Sequence, residues 1–380
     1  MDILSRNLSF CTRILKFYAR ICIIIEDEGG DHMRIAICGA TGYSGIEAIR
    51  LLAPRTDVTI VGISSETQAG LMLEEAVPGF RGFAVGRLRL LPLRAAVTEA
   101  EIVILALPHG EAQHVAPELL AQGKSVIDLS GDHRLPRDAY ESWYKAEVAS
   151  DAHADAIYGL TEWNRAAIAN ASLVANPGCY ATCAELALLP LLERDVAESS
   201  QILIDAKSGV SGAGKKPTAV THYVEADENF FAYKLGRHQH TPEIEMTLRE
   251  ARRRQTGLDK PVNVLLATHL LPIKRGILCT AYIKLKEEMS GEALHEIVSA
   301  RYEGEPFVDV LPYGVSPQLK WVSGTNRVSI GVYLDPRTQT AVVLSALDNL
   351  IKGAAGQAIQ NLNVMTGANE QEGLWFVPAV

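Results

Sequence analysis

A short apolar run followed by three regularly spaced glycines constrains the fold of this chain more than any other feature. The segment RIAICGATGYSGIEAIRLLA begins at Arg34, carries Gly39, Gly42 and Gly45, and continues with apolar residues on a helical period. Glycine lets the backbone turn sharply and approach a pyrophosphate, whose charge then lies on the free amides of a helix N-terminus. The segment therefore predicts the strand, turn and helix of a dinucleotide-binding unit.

Three later segments have the length and composition of strands: residues 58–65, 102–108 and 125–130. A glycine-rich turn also occurs in α/β proteins that bind no nucleotide, but strands at the distances of βαβ units favour a parallel, Rossmann-type sheet. We therefore predict an α/β Rossmann-type NAD(P)-binding domain. The turn residues expected to contact the cofactor are Gly39, Thr41, Gly42, Tyr43, Ser44 and Gly45.

The residues after the second strand of such a domain normally distinguish NAD from NADP. Here they read SSETQAG, in which Glu66 could bind a ribose hydroxyl group, as an NAD-binding residue does. Ser64, Ser65 and Thr67 could instead donate hydrogen bonds to a 2′-phosphate. These residues do not decide between the two cofactors, and Ser64 and Ser65 are included in the predicted cofactor site.

The second half of the 380-residue chain predicts a second domain, because its strand-like segments are separated by longer connections. This pattern indicates a mixed sheet in an α+β domain. The segments are residues 201–206, 262–268, 277–285 and 327–334. A helical period over residues 345–365 predicts a last helix that packs on the first domain or contacts the cofactor, with Asn349 as the candidate contact.

These patterns predict an NAD(P)-binding domain of residues 33–178 plus 345–380, and a second domain of residues 179–344. Residues 1–32 combine basic residues with an acidic patch and are expected to lie outside the fold. The apolar run at residues 21–25 is far shorter than the roughly 20 residues that a membrane helix needs. A net charge of −9 makes nucleic acid an unfavourable partner.

The stretch ANPGCYAT places Cys179 directly after a Pro-Gly turn and before a run of helix-forming residues. The thiol is therefore expected at a helix N-terminus, where the helix dipole and the free amides lower the pKa of a cysteine. This position predicts a nucleophile, the alternative being an inert buried cysteine. Cys183 is expected to face the core, and the absence of a CxxC pair indicates free thiols in a reducing compartment.

A catalytic thiol requires an acid–base partner, and the segment LGRHQHTPEIEM supplies His238 and His240. The two side chains point to opposite sides if the chain is extended, so only one is expected to face the thiol. Zinc binding is the competing interpretation of the HxH pair. No third ligand with suitable spacing accompanies the pair, so we predict no metal site.

Four residues are candidates for binding an anionic substrate. Arg134 follows a predicted strand, and Arg237 directly precedes the histidine pair. Ser208 belongs to a loop rich in glycine, serine and lysine, and Arg275 lies in a tight loop between two strands. Guanidinium groups bind phosphates and carboxylates through paired hydrogen bonds, so this set predicts recognition of an anion.

A dinucleotide domain, an activated cysteine and a histidine together support one definite reaction. A thiolate attacks an acyl phosphate and expels phosphate, and the resulting thioester accepts a hydride from a reduced nicotinamide and collapses to an aldehyde. The histidine would handle the proton and the basic residues would bind the leaving phosphate. A cysteine hydrolase or a non-catalytic dinucleotide sensor would share some of these features but not all of them.

The chain resembles the N-acetyl-gamma-glutamyl-phosphate reductase family in five segments: NPGCYAT, KSGVSGAGKKP, ENFFAYKLGRHQHTPEIE, THLLPIKRGIL and DNLIKGAAGQAIQN. The likeness runs from about Met33 to Leu374. It implies an NADPH-dependent homo-oligomer of arginine biosynthesis, in the cytoplasm or a plastid, that reduces N-acetyl-glutamyl 5-phosphate to the semialdehyde and releases phosphate. The resemblance also implies that the α+β domain of residues 179–344 is the catalytic and dimerisation, or oligomerisation, domain. The nucleophile of the family falls on Cys179 and its histidine on His238, with His240 as the alternative.

A related reductase of lysine biosynthesis uses the same motifs on a carrier-protein-linked aminoadipyl phosphate. Such an enzyme needs a basic surface to meet an acidic carrier protein, and the net charge of −9 argues against this alternative. We therefore expect a cytoplasmic enzyme that acts on a small acyl phosphate.

Overall fold

The computed structural model describes residues 32–149 and 155–378. The predicted N-terminal extension, apart from its last residue, lies outside the described residues. The first sheet is formed by β1 (Met33–Cys38), β2 (Val58–Ser64), β3 (Leu90–Leu91), β4 (Ile102–Leu105), β5 (Ser125–Asp128), β6 (Ile157–Tyr158) and β7 (Leu173–Ala175). Its strands are all parallel and lie in the order β3-β2-β1-β4-β5-β7-β6, so the chain crosses from one half of the sheet to the other after β3.

The second sheet is mixed. Its strands are β8 (Ile202–Gly209), β9 (Phe231–Tyr233), β10 (Val264–Leu271), β11 (Ile277–Lys284), β12 (Val308–Val310), β13 (Val328–Asp335) and β14 (Thr340–Leu347). They lie in the order β12-β13-β14-β11-β8-β10-β9, with parallel pairs β12–β13 and β8–β10 and antiparallel pairs elsewhere.

Helices cover both faces of the first sheet and one face of the second. They are α1 (Tyr43–Leu52), α2 (Leu73–Ala76), α3 (Leu93–Ala96), α4 (Ala112–Ala121), α5 (Arg137–Tyr144), α6 (Thr161–Ile168), α7 (Cys179–Glu193), α8 (Tyr223–Ala226), α9 (His240–Thr256), α10 (Gly291–Arg301) and α11 (Gly356–Thr366). A π-helix at Ile351–Ala355 precedes α11.

Alternate residues of β1 enter two different cores, as expected for a strand buried on both faces. Ile35 and Ile37 pack with α1 and α11, whereas Ala36 and Cys38 pack with α4. The core of the second domain lies between the mixed sheet and α7, which is apolar around its whole circumference and buried from Tyr180 to Leu192. This central position of α7 fixes its N-terminus between the two sheets.

The predicted last helix is corrected by the structure. The period over residues 345–365 predicts one helix, but residues 345–347 belong to β14, where TAVVLSAL pairs with β11 and β13. The β-branched residues of this segment suit a strand, and sheet pairing prevails over the helical spacing of the leucines. The predicted end is confirmed, since α11 stops at Thr366 and Gly367 takes a left-handed conformation with φ +71°.

The predicted fold class is confirmed: a parallel, Rossmann-type sheet precedes a mixed α+β sheet. The predicted boundary at residues 178 and 179 falls between β7 and α7, and the one at residues 344 and 345 falls within β14. Helix α11 returns to the first domain, where it packs on α1 and α6.

Candidate active site

A cavity of about 970 Å³ lies at the carboxyl ends of the parallel strands, where they meet the N-terminus of α7 and loops of the second domain. Ligands bind at this edge in open α/β sheets. The cavity is lined by most of the predicted cofactor residues: Gly39, Thr41, Gly42, Tyr43, Ser44, Ser64, Ser65 and Asn349. The predicted nucleophile Cys179 lines the same cavity, so one space brings the two predicted functions together.

The glycine-rich turn has the shape needed to hold a pyrophosphate. Gly39 has φ +82°, and a Cβ atom there would lie 2.2 Å from the carbonyl oxygen of Ala106 at the end of the neighbouring strand. Gly45 does not line the cavity and instead packs α1 onto the turn, because its Cβ atom would lie 2.3 Å from the Gly39 oxygen. The turn therefore presents bare backbone and the start of α1 to the cavity, which fits a dinucleotide phosphate.

Polar side chains surround this turn. The hydroxyl oxygens of Thr41 and Ser65 lie 3.2 Å apart, and the Lys215 ammonium group donates to the Thr41 carbonyl oxygen at 2.9 Å. Glu66 also lines the cavity, and one of its carboxylate oxygens accepts a hydrogen bond from the Leu93 amide at 2.9 Å. The lysine comes from the second domain, so both domains contribute to the predicted cofactor site.

Cys179 is the first residue of α7, and Gly178 precedes it in an extended conformation. Gly353 of the π-helix lies directly against it, because a Cβ atom on Gly353 would be 2.8 Å from the Cβ atom of Cys179. The Asn176 side-chain amide group donates to the Ala354 carbonyl oxygen at 3.1 Å, which also holds the π-helix against the segment before α7. Cys183 faces the core as predicted, with its Sγ atom 3.1 Å from the Ser345 hydroxyl oxygen.

The expected lowering of the Cys179 pKa is wrong for this structure. Burial raises the pKa of the thiol to about 12, although Arg134 and the Tyr180 amide act in the opposite direction. Desolvation of the charged form therefore outweighs the favourable effect of the helix N-terminus. A thiol with so high a pKa acts as a nucleophile only if a base removes its proton.

The structure separates the two candidate histidines. His240 is the first residue of α9 and lines the cavity, where its Nε2 atom faces the backbone of Gly178. His238 does not line the cavity, and its Nδ1 atom accepts a hydrogen bond from the His240 amide at 3.2 Å. His238 thus lies behind His240 and against Tyr180, and the alternative histidine, His240, is the one that lines the cavity together with Cys179.

Both imidazoles are neutral at physiological pH. Burial lowers the pKa of His238 to about 2, and the neighbouring His240 and Lys234 act in the same direction. Burial also lowers the pKa of His240 well below its usual value, with Arg134 as the next cause. The His240 Nδ1 atom has no hydrogen-bond partner among the described residues. A neutral imidazole in the same cavity as the thiol is suited to accept a proton.

Arg134 lines the cavity and is held rigidly. Its guanidinium group donates to the carbonyl oxygens of Asn176 at 2.7 Å and Leu129 at 2.8 Å. It also lies 3.4 Å from a Glu243 carboxylate oxygen and 3.5 Å from His240 Nε2. The cation is therefore placed beside His240 and in the same cavity as Cys179, a position that suits the binding of an anion.

The other three predicted substrate residues do not reach the cavity. Ser208 is buried and its hydroxyl group donates to the Gly209 carbonyl oxygen at 3.0 Å, and Arg237 is exposed. The guanidinium group of Arg275 donates to Glu47 at 2.6 Å and lies 3.4 Å from a carboxylate oxygen of Asp348. Two carboxylates thus occupy Arg275, which connects α1 of the first domain to the segment before the π-helix.

Sequence reasoning missed a group of buried residues behind the nucleophile. Glu243 accepts hydrogen bonds from the Gly178 amide at 2.6 Å and from the Tyr158 hydroxyl group at 2.7 Å. Tyr158 also contacts Glu185, which is fully buried in α7. One signal could have revealed this group: Glu185 is the only acid within CAELALLPLL, and a lone charge in an apolar helix needs a partner.

Within residues 32–149 and 155–378, no cluster of three or more histidine, cysteine, aspartate or glutamate side chains has the geometry of a metal site. Across the same two ranges, no helix combines the length and hydrophobicity needed to cross a membrane.

Two family models match the chain and divide it at the start of α7. The model described as "Semialdehyde dehydrogenase, NAD binding domain" matches residues 34–171. The model described as "Semialdehyde dehydrogenase, dimerisation domain" matches residues 179–349.

Curated relatives match over nearly their whole length. N-acetyl-gamma-glutamyl-phosphate reductase of Bacillus mycoides (strain KBAB4) is 46% identical over 348 residues, which is 91% of this chain and 99% of the relative. The enzyme of the same name from Bacillus anthracis is 45% identical with the same coverage.

Solved structures share the fold at low sequence identity. Aspartate semialdehyde dehydrogenase II from Vibrio cholerae, complexed with ASA, gives a TM-score of 0.67 at 20% identity and covers 89% of this chain and 99% of its own. Aspartate semialdehyde dehydrogenase with NADP from Candida albicans gives a TM-score of 0.62 at 14% identity, with coverage of 88% and 98%.

Proposed function

Because the chain belongs to the semialdehyde dehydrogenase family, within the group of N-acetyl-gamma-glutamyl-phosphate reductases, we propose that it reduces N-acetyl-L-glutamyl 5-phosphate to N-acetyl-L-glutamate 5-semialdehyde with NADPH and releases phosphate. This reaction would serve arginine biosynthesis in the cytoplasm. The observation that supports it most is the placement of Cys179, His240 and the glycine-rich turn around one cavity. A cysteine hydrolase would have no use for the turn, and a dinucleotide sensor would have no use for the histidine beside the thiol.

Cys179 is the nucleophile. Its sulfur attacks the acyl phosphate carbon, the carbon–oxygen bond to the phosphate breaks, and the acyl group remains on the enzyme as a thioester. The N-terminal amides of α7 surround the attacked carbonyl group and stabilise the negative charge that develops on its oxygen.

His240 is the base that takes the proton of the thiol. The pKa of the thiol lies near 12 and that of His240 lies below its usual value, so the transfer is unfavourable before substrate binds. The negative charge of the substrate compensates Arg134, which is one cause of the low histidine pKa, and binding therefore makes the imidazole a stronger base. His240 then returns the proton to the oxygen of the reduced intermediate or to the departing group.

The residues of the turn fit NADP. When bound, the reduced nicotinamide supplies the hydride that converts the thioester to the aldehyde. Gly39 and Gly42 leave room for the pyrophosphate, and Lys215 and Lys216 line the same region and supply positive charge. Ser64 and Ser65 line the cavity as candidate partners of a 2′-phosphate, and Glu66 lines it too, with one oxygen bound to the Leu93 amide. The positive charge of the two lysines favours NADP, which carries the additional phosphate.

The second copy of a homodimer would cover the open face of the mixed sheet. Neighbouring strands place Leu265, Leu203, Tyr282, Val342 and Tyr333 in one continuous row across β10, β8, β11, β14 and β13. All of these residues except Val342 are large apolar side chains that are between 39% and 55% exposed. An apolar row of this length on a domain that matches a dimerisation model indicates a self-complementary interface.

The reaction is tested in the reverse direction with purified protein. Phosphate-dependent reduction of NADP, and separately of NAD, is measured with N-acetyl-glutamate semialdehyde for the wild type, Cys179→Ser and Cys183→Ala. We expect activity with NADP in the wild type and in Cys183→Ala, and none in Cys179→Ser, which should still bind NADPH. Full activity of Cys179→Ser, or no reaction of the wild type with either cofactor, would refute the proposal.

The interface is tested by sedimentation. Tyr282→Asp is expected to convert the dimer to a monomer, because it places a charge in the centre of the apolar row. Phe83→Asp, at a side chain of the first domain that is 61% exposed, is the control and should leave the mass unchanged. A dimeric Tyr282→Asp variant would contradict the assignment of this face.

A further inference from the structure

Three buried side chains form a hydrogen-bonded group directly behind the nucleophile. The Tyr158 hydroxyl oxygen lies 2.9 and 3.0 Å from the two carboxyl oxygens of Glu185 and 2.7 Å from one oxygen of Glu243. Both carboxyl groups are fully buried, and Tyr158 is 8% exposed. The group contacts the active site through Glu243, which accepts the Gly178 amide hydrogen at 2.6 Å.

The number of hydrogens in this group is fixed by its geometry. A tyrosine hydroxyl group carries one hydrogen and donates one strong hydrogen bond, whereas an ionised carboxylate can only accept. Tyr158 cannot satisfy two ionised carboxylates at hydrogen-bonding distance. One of the two carboxyl groups must therefore carry a proton of its own and donate it to the tyrosine oxygen.

The partners of Glu243 identify the protonated group as Glu185. One oxygen of Glu243 accepts from the Gly178 amide and from Tyr158, and the other lies 3.4 Å from the Arg134 guanidinium group. These donors all favour the ionised form of Glu243. Glu185 faces Tyr158, Glu243 and Thr247, with Arg134 at a greater distance beyond Glu243. Its direct neighbours offer no cation.

We propose that Glu185 is a permanently protonated positioning residue, whose carboxylic acid fixes the Tyr158 hydroxyl group so that Glu243 stays singly charged and holds Gly178 and Arg134 in place. The proposal rests on the proposed role of Cys179 as the nucleophile, because Gly178 is the residue that presents it. The proton on Glu185 leaves a single negative charge on the two acids, located on Glu243 at 3.4 Å from the Arg134 guanidinium group.

The proton on Glu185 makes the free energy of unfolding depend on pH. Burial, followed by the charge of Glu243, raises the pKa of Glu185 well above its usual value of 4.5. Above this pH the unfolded chain releases the proton that the folded protein keeps, so the folded protein loses stability as pH rises toward the pKa of the folded state. Replacement by glutamine, which is neutral and of the same shape, removes this dependence and keeps a donor for Tyr158.

The first test measures urea unfolding of the complete protein at intervals between about pH 5 and about pH 8. Glu185→Gln is expected to change the pH dependence of the unfolding free energy by one proton relative to the wild type. Glu193→Gln is the control, because Glu193 lies on the same helix and forms a partly exposed ion pair with Arg301. An identical pH dependence of Glu185→Gln and the wild type would show that Glu185 is ionised and would overturn the proposal.

The second test measures the rate at which iodoacetamide alkylates Cys179, together with kcat/KM. Glu185→Gln is expected to stay within about twofold of the wild type, and Glu185→Ala to fall about tenfold, because its Tyr158 hydroxyl group is free to rotate. Equal losses in both variants would contradict a role for the neutral acid. Neither unfolding nor alkylation uses the acyl phosphate, so a wrong substrate assignment would leave both results interpretable.

Discussion

Gly353 is the residue whose change most directly tests how the nucleophile is positioned. A Cβ atom at this position would lie 2.8 Å from the Cβ atom of Cys179 and 3.3 Å from its Cα atom. Optimal carbon–carbon contacts are about 3.5 to 4.0 Å, so Gly353→Ala must separate the π-helix from the start of α7 by about 1 Å. Gly353 is buried and Cys179 is partly buried, and neither side of the contact is the end of a flexible side chain.

The displacement translates into a defined loss of activity. A misplacement of about 1 Å at a reacting group costs about 10²-fold in rate, which corresponds to about 2.7 kcal/mol of transition-state stabilisation. Overpacking of a buried site also lowers the free energy of unfolding, by about 1 to 3 kcal/mol. In an ordinary exposed helix the same substitution would stabilise the protein, since alanine is favoured over glycine by about 1 kcal/mol.

The assay compares Gly353→Ala with the wild type by kcat/KM, by the rate of Cys179 alkylation and by urea unfolding. Gly79→Ala is the matched control, because Gly79 lies in a short 3₁₀ helix and its Cβ atom would meet no atom within 4 Å. We expect the control to behave as the wild type. Unchanged alkylation and turnover in a folded Gly353→Ala protein would refute the view that this contact positions the thiol.

Three further predictions concern the histidines and the link between the domains. His240→Gln is expected to lower kcat by about 10² to 10⁴-fold, and His238→Gln is expected to lower it by much less. Steady-state kinetics would check this, and a larger loss in His238→Gln would assign the base to His238. Because the pKa of His238 falls from 6.5 to about 2 on folding, the unfolded chain binds the extra proton, so stability is lost as pH falls below 6.5. His238→Gln should therefore remove about 1.4 kcal/mol per pH unit of this acid destabilisation, measured by unfolding at several pH values. Arg275→Gln should raise the KM for NADPH severalfold, with little change in the alkylation rate of the cysteine. Arg50→Gln removes the other ion pair of the same Glu47 and is the control, for which the KM should stay unchanged.

The parts of the fold that depend on local pattern were predictable. The turn from Gly39 to Gly45 and the start of α7 at Cys179 follow from glycine and proline chemistry and from helix-forming residues, all within a few positions. The strand Thr340–Leu347 was predicted in part as helix, because its leucines also fit a helical period and only pairing with β11 and β13 decides the outcome. Local pattern fails where long-range hydrogen bonds compete with it.

The sequence by itself determined the dinucleotide turn, the position of Cys179 at a helix N-terminus and the presence of a histidine pair, since each is encoded in a short contiguous segment. Tertiary structure alone decided which histidine shares the cavity with Cys179, and it assigned Arg275 to two carboxylates instead of the cavity. It also decided that burial raises the pKa of Cys179, against the effect of the helix. Burial and partner geometry depend on residues far apart in the chain, and the energy of a charge depends on both.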